Sequence, residues 1–564
     1  MAGGPADEVK RASAEKDASH DIYETWTHLF KNFAIVAVIA ASTWLLVSGV
    51  RFSIEIGSEF LFEPFAEIHA EKGEHAGKGF SHEKVPEGAK EAAKKAEHEV
   101  AEVKKEAAKL AKKMEGGEGE AHGAKKEGEA KEGEGGEHEV DLDTAAWTIF
   151  AVLVVGGLIR GVLLQIPSWK TSEGDGMGTS LEYFHASYLQ EDDGPQPRYE
   201  KPDFLQALRR AILTSLTVGT GGSGGIEAPV VPIGECIGAG WSRVLNIMKA
   251  DDVRIYQLAG ISAAVATLLD APFTAALFAA EVVYNARILY RTLMYSLIGA
   301  IVAFALNNHF LAFEPLFNPT AHSFAYTIKE YLEVTVVAII CSAPAGLGIA
   351  WLFKRLKKLI SPAPGVLKPV VGAIGAGSIG MAIWFGFGLE PQHVLGVSEE
   401  TIIQVMLGEG NPLLKVWWVL LMLVLAKALA TGFTLMAGGS AGALVPAMYL
   451  GAISGAAIFF VLQELGYHTD ADVSVFVVAG LASALVAVVQ VPLAAITFVM
   501  EVFGAFYGPP AIVACVLTYM LARRWKLYTL PTLNTEDSGD DDAGGAEASD
   551  GDGGGGAPPE PEKA

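Results

Sequence analysis

The sequence reads Gly221-Gly-Ser-Gly-Gly-Ile-Glu227-Ala-Pro229-Val-Val-Pro232-Ile-Gly234 in its first half, a glycine-rich turn that leads directly into an apolar segment. Pro229 marks a helix start, because the missing N–H group of a proline would have no partner in a first helical turn anyway. The unpaired N–H groups and the positive dipole end of such a helix favour an anion in front of them. Glu227 places a carboxylate in that same space, where it can compete with a free anion. The alternative is an ordinary helix start with an acidic first turn.

The spacing of glycine and proline in this stretch recurs later in the chain. Gly225, Pro229, Gly234 and Gly238 have counterparts at the same intervals in Gly442, Pro446, Gly451 and Gly455. A second pair of segments matches as well, one from Pro272 to Glu281 and the other from Pro492 to Glu501. Paired apolar segments interrupted by glycine and proline are typical of transporters whose broken helices point at a site in the middle of the membrane. The glycines beyond each proline also favour close helix packing.

The composition indicates a membrane protein. Of the 564 residues, 51% are hydrophobic, and apolar segments follow one another from Thr144 to Leu521. Together with the repeat, this predicts an all-α polytopic membrane protein with two inverted-repeat halves and with broken and re-entrant helices. The three cysteines are isolated, which predicts buried thiols. We expect no enzymatic activity, no cofactor, no metal site and no nucleic-acid partner.

The chain divides by composition into six segments. We predict a polar cytosolic N-terminus (1–31), a first transmembrane helix (32–65), a charged excursion rich in Glu, Lys, Ala and Gly (66–143), a first repeat half (144–310), a second repeat half (311–530) and an acidic disordered tail (531–564). The first segment lacks the plan of a signal peptide. The excursion and the tail are too polar to pack into a core. The histidines of the excursion have no spacing that favours a metal site.

At the two glycine-rich stretches the residues resemble the CLC family of chloride channels and chloride/proton exchangers. Gly225-Ile226-Glu227-Ala228-Pro229 is similar to the family motif G-R/K-E-G-P, although the basic residue and the second glycine are absent. Gly442-Ala443-Leu444-Val445-Pro446 is similar to the motif G-x-F-x-P. The resemblance implies that Glu227 is a gating glutamate, and that the anion contacts lie at Gly225, Ile226 and Glu227 and at the backbone amides of Ala443 and Leu444.

Two further contacts follow from the resemblance. Gly174-Asp175-Gly176-Met177-Gly178 loosely resembles the family's G-S-G-I-P motif, with Asp175 in place of the serine. Asp175 either contacts the anion or acts as a helix N-cap. Tyr528, which follows the last apolar segment, matches the pore tyrosine of the family, whose O–H group can donate to an anion.

The proton pathway of the family is altered in this sequence. Proton-coupled members typically carry two adjacent glutamates, the second of which is the internal proton relay, and this chain has Glu281-Val282 there. A valine at the relay position favours a passive channel. Glu281 is the alternative proton carrier, but its repeat partner Glu501 favours a structural role in capping or pairing for both.

The resemblance therefore implies a homodimer, with a pathway for chloride or another monovalent anion, in the plasma (inner) membrane as a multi-pass protein. The sequence leaves two other functions open. One is a CLC-type anion/proton antiporter with a different internal proton route. The other is a membrane scaffold or sensor that conducts nothing.

Overall fold

The computed structural model describes residues 26–74, 142–186, 203–247, 250–284, 289–311 and 326–522. The predicted anion contact Tyr528, most of the charged excursion and the acidic tail lie outside the described residues. Within these ranges the chain is helical, apart from turns and one isolated β-bridge. The prediction of an all-α fold is confirmed.

The first half contains helices α1 to α8. They are α1 (Trp26–Glu74), α2 (Leu142–Leu163), α3 (Met177–Ala186), α4 (Phe204–Val218), α5 (Glu227–Val244), α6 (Ala250–Leu269), α7 (Pro272–Tyr284) and α8 (Tyr290–Phe310). The helix α1 is longer than predicted at both ends, since the predicted bounds were 32–65. The extension at the C-terminal end falls on residues rich in Ala and Glu, which have high helix propensity.

The second half contains helices α9 to α17. They are α9 (Ile328–Ala343), α10 (Ile349–Ile360), α11 (Lys368–Phe387), α12 (Glu399–Leu407), α13 (Trp417–Met436), α14 (Leu444–Glu464), α15 (Val473–Val489), α16 (Pro492–Phe498) and α17 (Gly508–Ala522). A π-helical turn, Pro344–Gly348, joins α9 to α10, and another, Val499–Phe503, follows α16. Eight spans of the described residues are long and apolar enough to cross a membrane.

The two halves pack their central helices in the same way, α5 against α6 and α14 against α15. Glycines permit the close approach in both pairs. A Cβ on Gly234 would collide with the backbone oxygen of Gly260, and a Cβ on Gly451 would collide with that of Gly480. The glycines one turn further along, Gly238 and Gly455, likewise abut backbone atoms of the facing helix. The packing role that the sequence predicted for these four helix glycines is confirmed.

Candidate anion site

The starts of helices α5 and α14 meet face to face. Gly225 and Gly442 form an antiparallel bridge in which Gly225 N donates to Gly442 O at 2.9 Å and Gly442 N donates to Gly225 O at 2.7 Å. A Cβ on Gly442 would lie 2.7 Å from the Cβ of Ala228, so a larger residue cannot fit without displacing a helix start. The structure thus brings together the two stretches that the sequence placed in different halves.

Matched hydroxyl groups fix the two glycine-rich loops. Each loop contains one serine, and its backbone N–H and its side chain bond to two threonines on a helix of the opposite half. The bonds are Ser223 N to Thr434 Oγ1 (3.2 Å), Ser223 Oγ to Thr431 Oγ1 (2.9 Å), Ser440 N to Thr217 Oγ1 (3.1 Å) and Ser440 Oγ to Thr214 Oγ1 (2.9 Å). Both serines are buried, so these bonds satisfy polar groups that water cannot reach. Each half therefore holds the other half's helix start in place.

The Glu227 side chain lies at this junction and is 2% exposed. Its carboxylate interacts with the backbone N–H groups of Ile226 and of Glu227 itself. Within the described part of the chain, its Oε2 atom has no hydrogen-bond partner. A Cβ on Gly225 would collide with this Oε2, so the glycine leaves the room that the carboxylate occupies. Glu227 therefore lies against its own helix start, and its role as a gate stays a prediction.

The predicted backbone contacts lie at the first residues of the same two helices. Ile226 and Ala443 occupy the N-cap positions of α5 and α14, and in the described structure neither side chain caps its helix. Gly225, Ala443 and Leu444 are buried. Apolar cap residues supply no side-chain acceptor of their own, so the N–H groups at the start of α5 are left to the Glu227 carboxylate or to an anion.

The third predicted helix start, at Asp175, is different. Asp175 Oδ1 accepts from the N–H group of Met177, the first residue of α3, at 3.3 Å, so its side chain supplies an acceptor at this helix start from one position before the N-cap. Gly174 and Gly176 have φ angles of +73° and +75°, which glycine adopts easily. The aspartate therefore satisfies its own helix start, and direct contact between Asp175 and an anion stays a prediction.

Glu281 and Glu501 each cap the start of a helix in the opposite half. Glu281 accepts from Leu493 N at 3.1 Å and from Ala494 N at 2.7 Å, at the start of α16. Glu501 accepts from the first amides of α7 at the corresponding distances of 3.1 and 2.7 Å. Val282, the residue at the predicted relay position, is buried. Both glutamates therefore act as helix caps in the structure, which is the structural role that the repeat favoured.

Two buried cations also hold equivalent positions, on the helices that precede the glycine-rich loops. Arg210 on α4 donates to the backbone oxygen of Gly174 at 3.0 Å, in the loop before α3. Lys427 on α13 donates to the backbone oxygen of Gly396 at 2.9 Å and to Ser398 Oγ at 2.8 Å, in the loop before α12. The sequence analysis missed this pair. The offset that relates Gly225 to Gly442 also relates Arg210 to Lys427 and would have revealed it.

Glu235 is a second buried carboxyl group on α5, and the sequence analysis missed it as well. It lies ~12 Å along the helix axis from Glu227, given the rise of an α-helix. The side chain is 1% exposed and bonds to Ser180 Oγ on α3 and, at 3.2 Å, to Gln257 Nε2 on α6. Glu235 therefore links the helix of the candidate gate to two neighbouring helices.

Comparisons with known proteins agree with this architecture. The sequence model described as "Voltage gated chloride channel" matches residues 151–523. The chain is 26% identical over 329 residues to a chloride/fluoride channel protein of Pseudomonas syringae pv. tomato, covering 55% of this chain and 64% of that protein. It is 25% identical over 331 residues to an uncharacterized protein of Methanocaldococcus jannaschii, covering 57% of this chain and 76% of that protein.

Solved structures share the fold. One is a slow cyanobacterial Cl⁻/H⁺ antiporter, with a TM-score of 0.61 and 14% identity, covering 87% of this chain and 94% of that one. Another is a CLC-type fluoride/proton antiporter, with a TM-score of 0.59 and 17% identity, covering 90% and 99% of the two chains. These similarities, together with the match to most of the membrane core, confirm the resemblance seen in the sequence. The chain belongs to the voltage-gated chloride channel (CLC) family of anion-transporting membrane proteins.

Proposed function

We propose that this protein is a passive channel for chloride or a related monovalent anion and that Glu227 is its gate. The observation that carries the proposal is the junction of α5 and α14, where two uncapped helix starts face one buried carboxylate. Oriented N–H groups at such a junction can replace part of the hydration shell of an anion. The carboxylate of Glu227 takes the place of the anion while it is ionised.

Gating follows from this competition. An ionised Glu227 and a free anion repel each other, and both compete for the same N–H donors. Protonation removes the charge of Glu227 and weakens its hold on the helix start, so the anion can enter. Anion flux should therefore rise on acidification.

Passive transport is supported by the surroundings of Glu281 and Val282. An apolar valine can neither hold nor pass a proton. The carboxylate of Glu281 is already bonded to two backbone N–H groups of α16, and its release would leave both without a partner. Neither residue is suited to carry protons between the gate and the other side of the membrane.

The test is the variant Glu227→Gln in purified protein reconstituted into liposomes. We expect anion flux that changes by less than about twofold over two pH units, because the group that titrates at the gate is gone. Glu400→Gln is the matched control, since Glu400 is exposed, and it should keep the pH dependence of the wild type. Persistent pH dependence in Glu227→Gln would show that Glu227 is not the gate.

The second candidate function is anion/proton exchange by another internal route. Two observations favour it. The two solved structures named above are a Cl⁻/H⁺ antiporter and a fluoride/proton antiporter, and Glu235 is a buried carboxyl group on α5, the helix that begins with Glu227. Proton movement that Glu235→Gln abolishes while anion flux persists would support this candidate over a channel.

The assembly and the location extend the same proposal. We infer a homodimer with one pathway in each subunit, because a single chain contains both helix starts of the site. We also infer a place in the plasma (inner) membrane. Cross-linking in mild detergent and in nanodiscs tests the dimer, and membrane fractionation tests the location.

A further inference from the structure

Glu399 is the first residue of α12. The loop before it is hydrogen-bonded to the glycine-rich loop before α5, which leads to Glu227. Gly396 N donates to Gly221 O at 3.2 Å, and Gly224 N donates to Gly396 O at 3.2 Å. Gly224 is the neighbour of Gly225, which forms the bridge to α14. Two residues therefore separate Glu399 from a direct backbone contact with the loop that leads to Glu227, and Glu399 is close enough for its charge to act on the Glu227 carboxyl group.

The charges around the two carboxylates differ. Lys427 on α13 and Arg51 on α1 both act on Glu399. Lys427 is fixed by its bond to Ser398 Oγ, the residue before Glu399, and Arg51 lies 3.7 Å from Asp270. Burial raises the pKa of the Glu399 carboxyl group, and these two cations offset part of that rise. Arg51 is also paired with Glu55 at 2.9 Å, which reduces its share.

Glu227 faces a different environment. Its main charged neighbour is Glu399, and its Oε2 atom is buried without a hydrogen-bond partner in the described structure. The basic residue that precedes the gating glutamate in the family motif is Ile226 here. Of the two carboxylates, only Glu399 has cations among the described residues that offset its burial, so Glu399 holds the negative charge more readily and Glu227 takes up a proton more readily when they compete.

We propose that Glu399 is a positioning residue for the gate, whose negative charge repels ionised Glu227 and so sets the pH at which the path opens. This inference rests on the proposed function of Glu227. The sign follows from like-charge repulsion: a nearby negative charge favours the protonated gate, so Glu399 allows opening at a higher pH than Glu227 alone would. Lys427 and Arg51 limit the effect because they offset part of the charge of Glu399, and Asp270 offsets part of that of Arg51.

The experiment measures anion flux against pH for the full chain in liposomes. Glu399→Gln should shift the midpoint of the flux curve to lower pH by about one unit, the size expected for loss of one charge at this range in a partly screened site. Glu400→Gln, one residue along, is the matched control and should leave the midpoint in place. Glu399→Asp keeps the charge and should lie closer to the wild type than Glu399→Gln does.

A second arm tests whether Glu399 acts through Glu227. In a Glu227→Gln background, Glu399→Gln should produce no further change in the pH profile, because the group that it acts on no longer titrates. An unmoved midpoint, a shift to higher pH, or equal shifts from Asp and Gln at position 399 would overturn the proposal. Failure of the gate itself is a separate result, since it appears as pH dependence that survives in Glu227→Gln alone.

Discussion

Gly225 and Gly442 exchange both of their backbone hydrogen bonds, so the glycine-rich loop before α5 is paired with the loop before α14 in the other half. Neither loop can move alone without breaking this bridge. The space in front of α5 is therefore built by both halves, and a change in either loop should affect anion passage and stability together.

Gly442→Ala should damage this junction. The added Cβ would lie 2.7 Å from that of Ala228, and we expect a loss of about 2 kcal/mol in the free energy of unfolding, as for overpacked sites. Gly386→Ala is the control, because a Cβ there has no neighbour within 4 Å. Thermal unfolding in detergent compares the two variants. Equal stability of both would mean that the junction is looser than the contact implies.

The reciprocal caps make a second prediction. Glu281→Ala and Glu501→Ala should each destabilise the protein by roughly 1 to 3 kcal/mol, because each leaves two amide donors without their acceptor. Glu281→Gln keeps one acceptor oxygen and should cost less. Denaturation and flux per folded molecule are the readouts. A drop in flux without a loss of stability would point to transport chemistry at Glu281 rather than capping.

We expect the role of Glu235 to be structural, and the stability of two variants at this position tests it. Glu235→Gln keeps a side chain that can bond to Ser180 and Gln257, so we expect near wild-type stability. Glu235→Leu leaves both of those polar groups buried without this partner and should destabilise the fold by about 2 kcal/mol or more. Equal stability of Gln and Leu at this position would show that these hydrogen bonds contribute little.

The charged excursion should be dispensable for transport. Helix α1 ends at Glu74 and α2 begins at Leu142, so the replacement of residues 75–141 by a short Gly/Ser linker preserves both helices. The sequence between them is rich in Glu, Lys, Ala and Gly with few large apolar residues, and flux per inserted molecule should be unchanged. A folded, inserted variant without flux would instead favour a sensor function for this segment.

The sequence predicted the paired helix starts well, because glycine and proline at a fixed offset reflect backbone constraints that every copy of the repeat must meet. The second pair of matching segments, Pro272 to Glu281 and Pro492 to Glu501, predicted the shared role of Glu281 and Glu501. Their partners, the first N–H groups of α16 and α7, could have been predicted from the repeat, because equivalent residues make equivalent contacts in opposite halves.

What the sequence could not predict depends on contacts between distant segments. Gly396 is hydrogen-bonded to Gly221 and Gly224 in the loop before α5, but no motif in the sequence around Gly396 indicates this contact. Lys427 stands in an apolar helix, and its role depends on carbonyl groups some thirty residues earlier. For Asp175 the sequence left two roles open, and the bond from the N–H group of Met177 became visible only in the structure.

The channel proposal is tested most directly by the reversal potential of reconstituted protein under crossed chloride and pH gradients. We predict that the reversal potential follows the anion gradient alone and that a chloride gradient drives no protons uphill. The reason is that Val282 cannot carry a proton and that Glu281 is bonded to α16. A reversal potential that shifts with the pH gradient, together with uphill proton movement, would contradict the account and establish an exchanger.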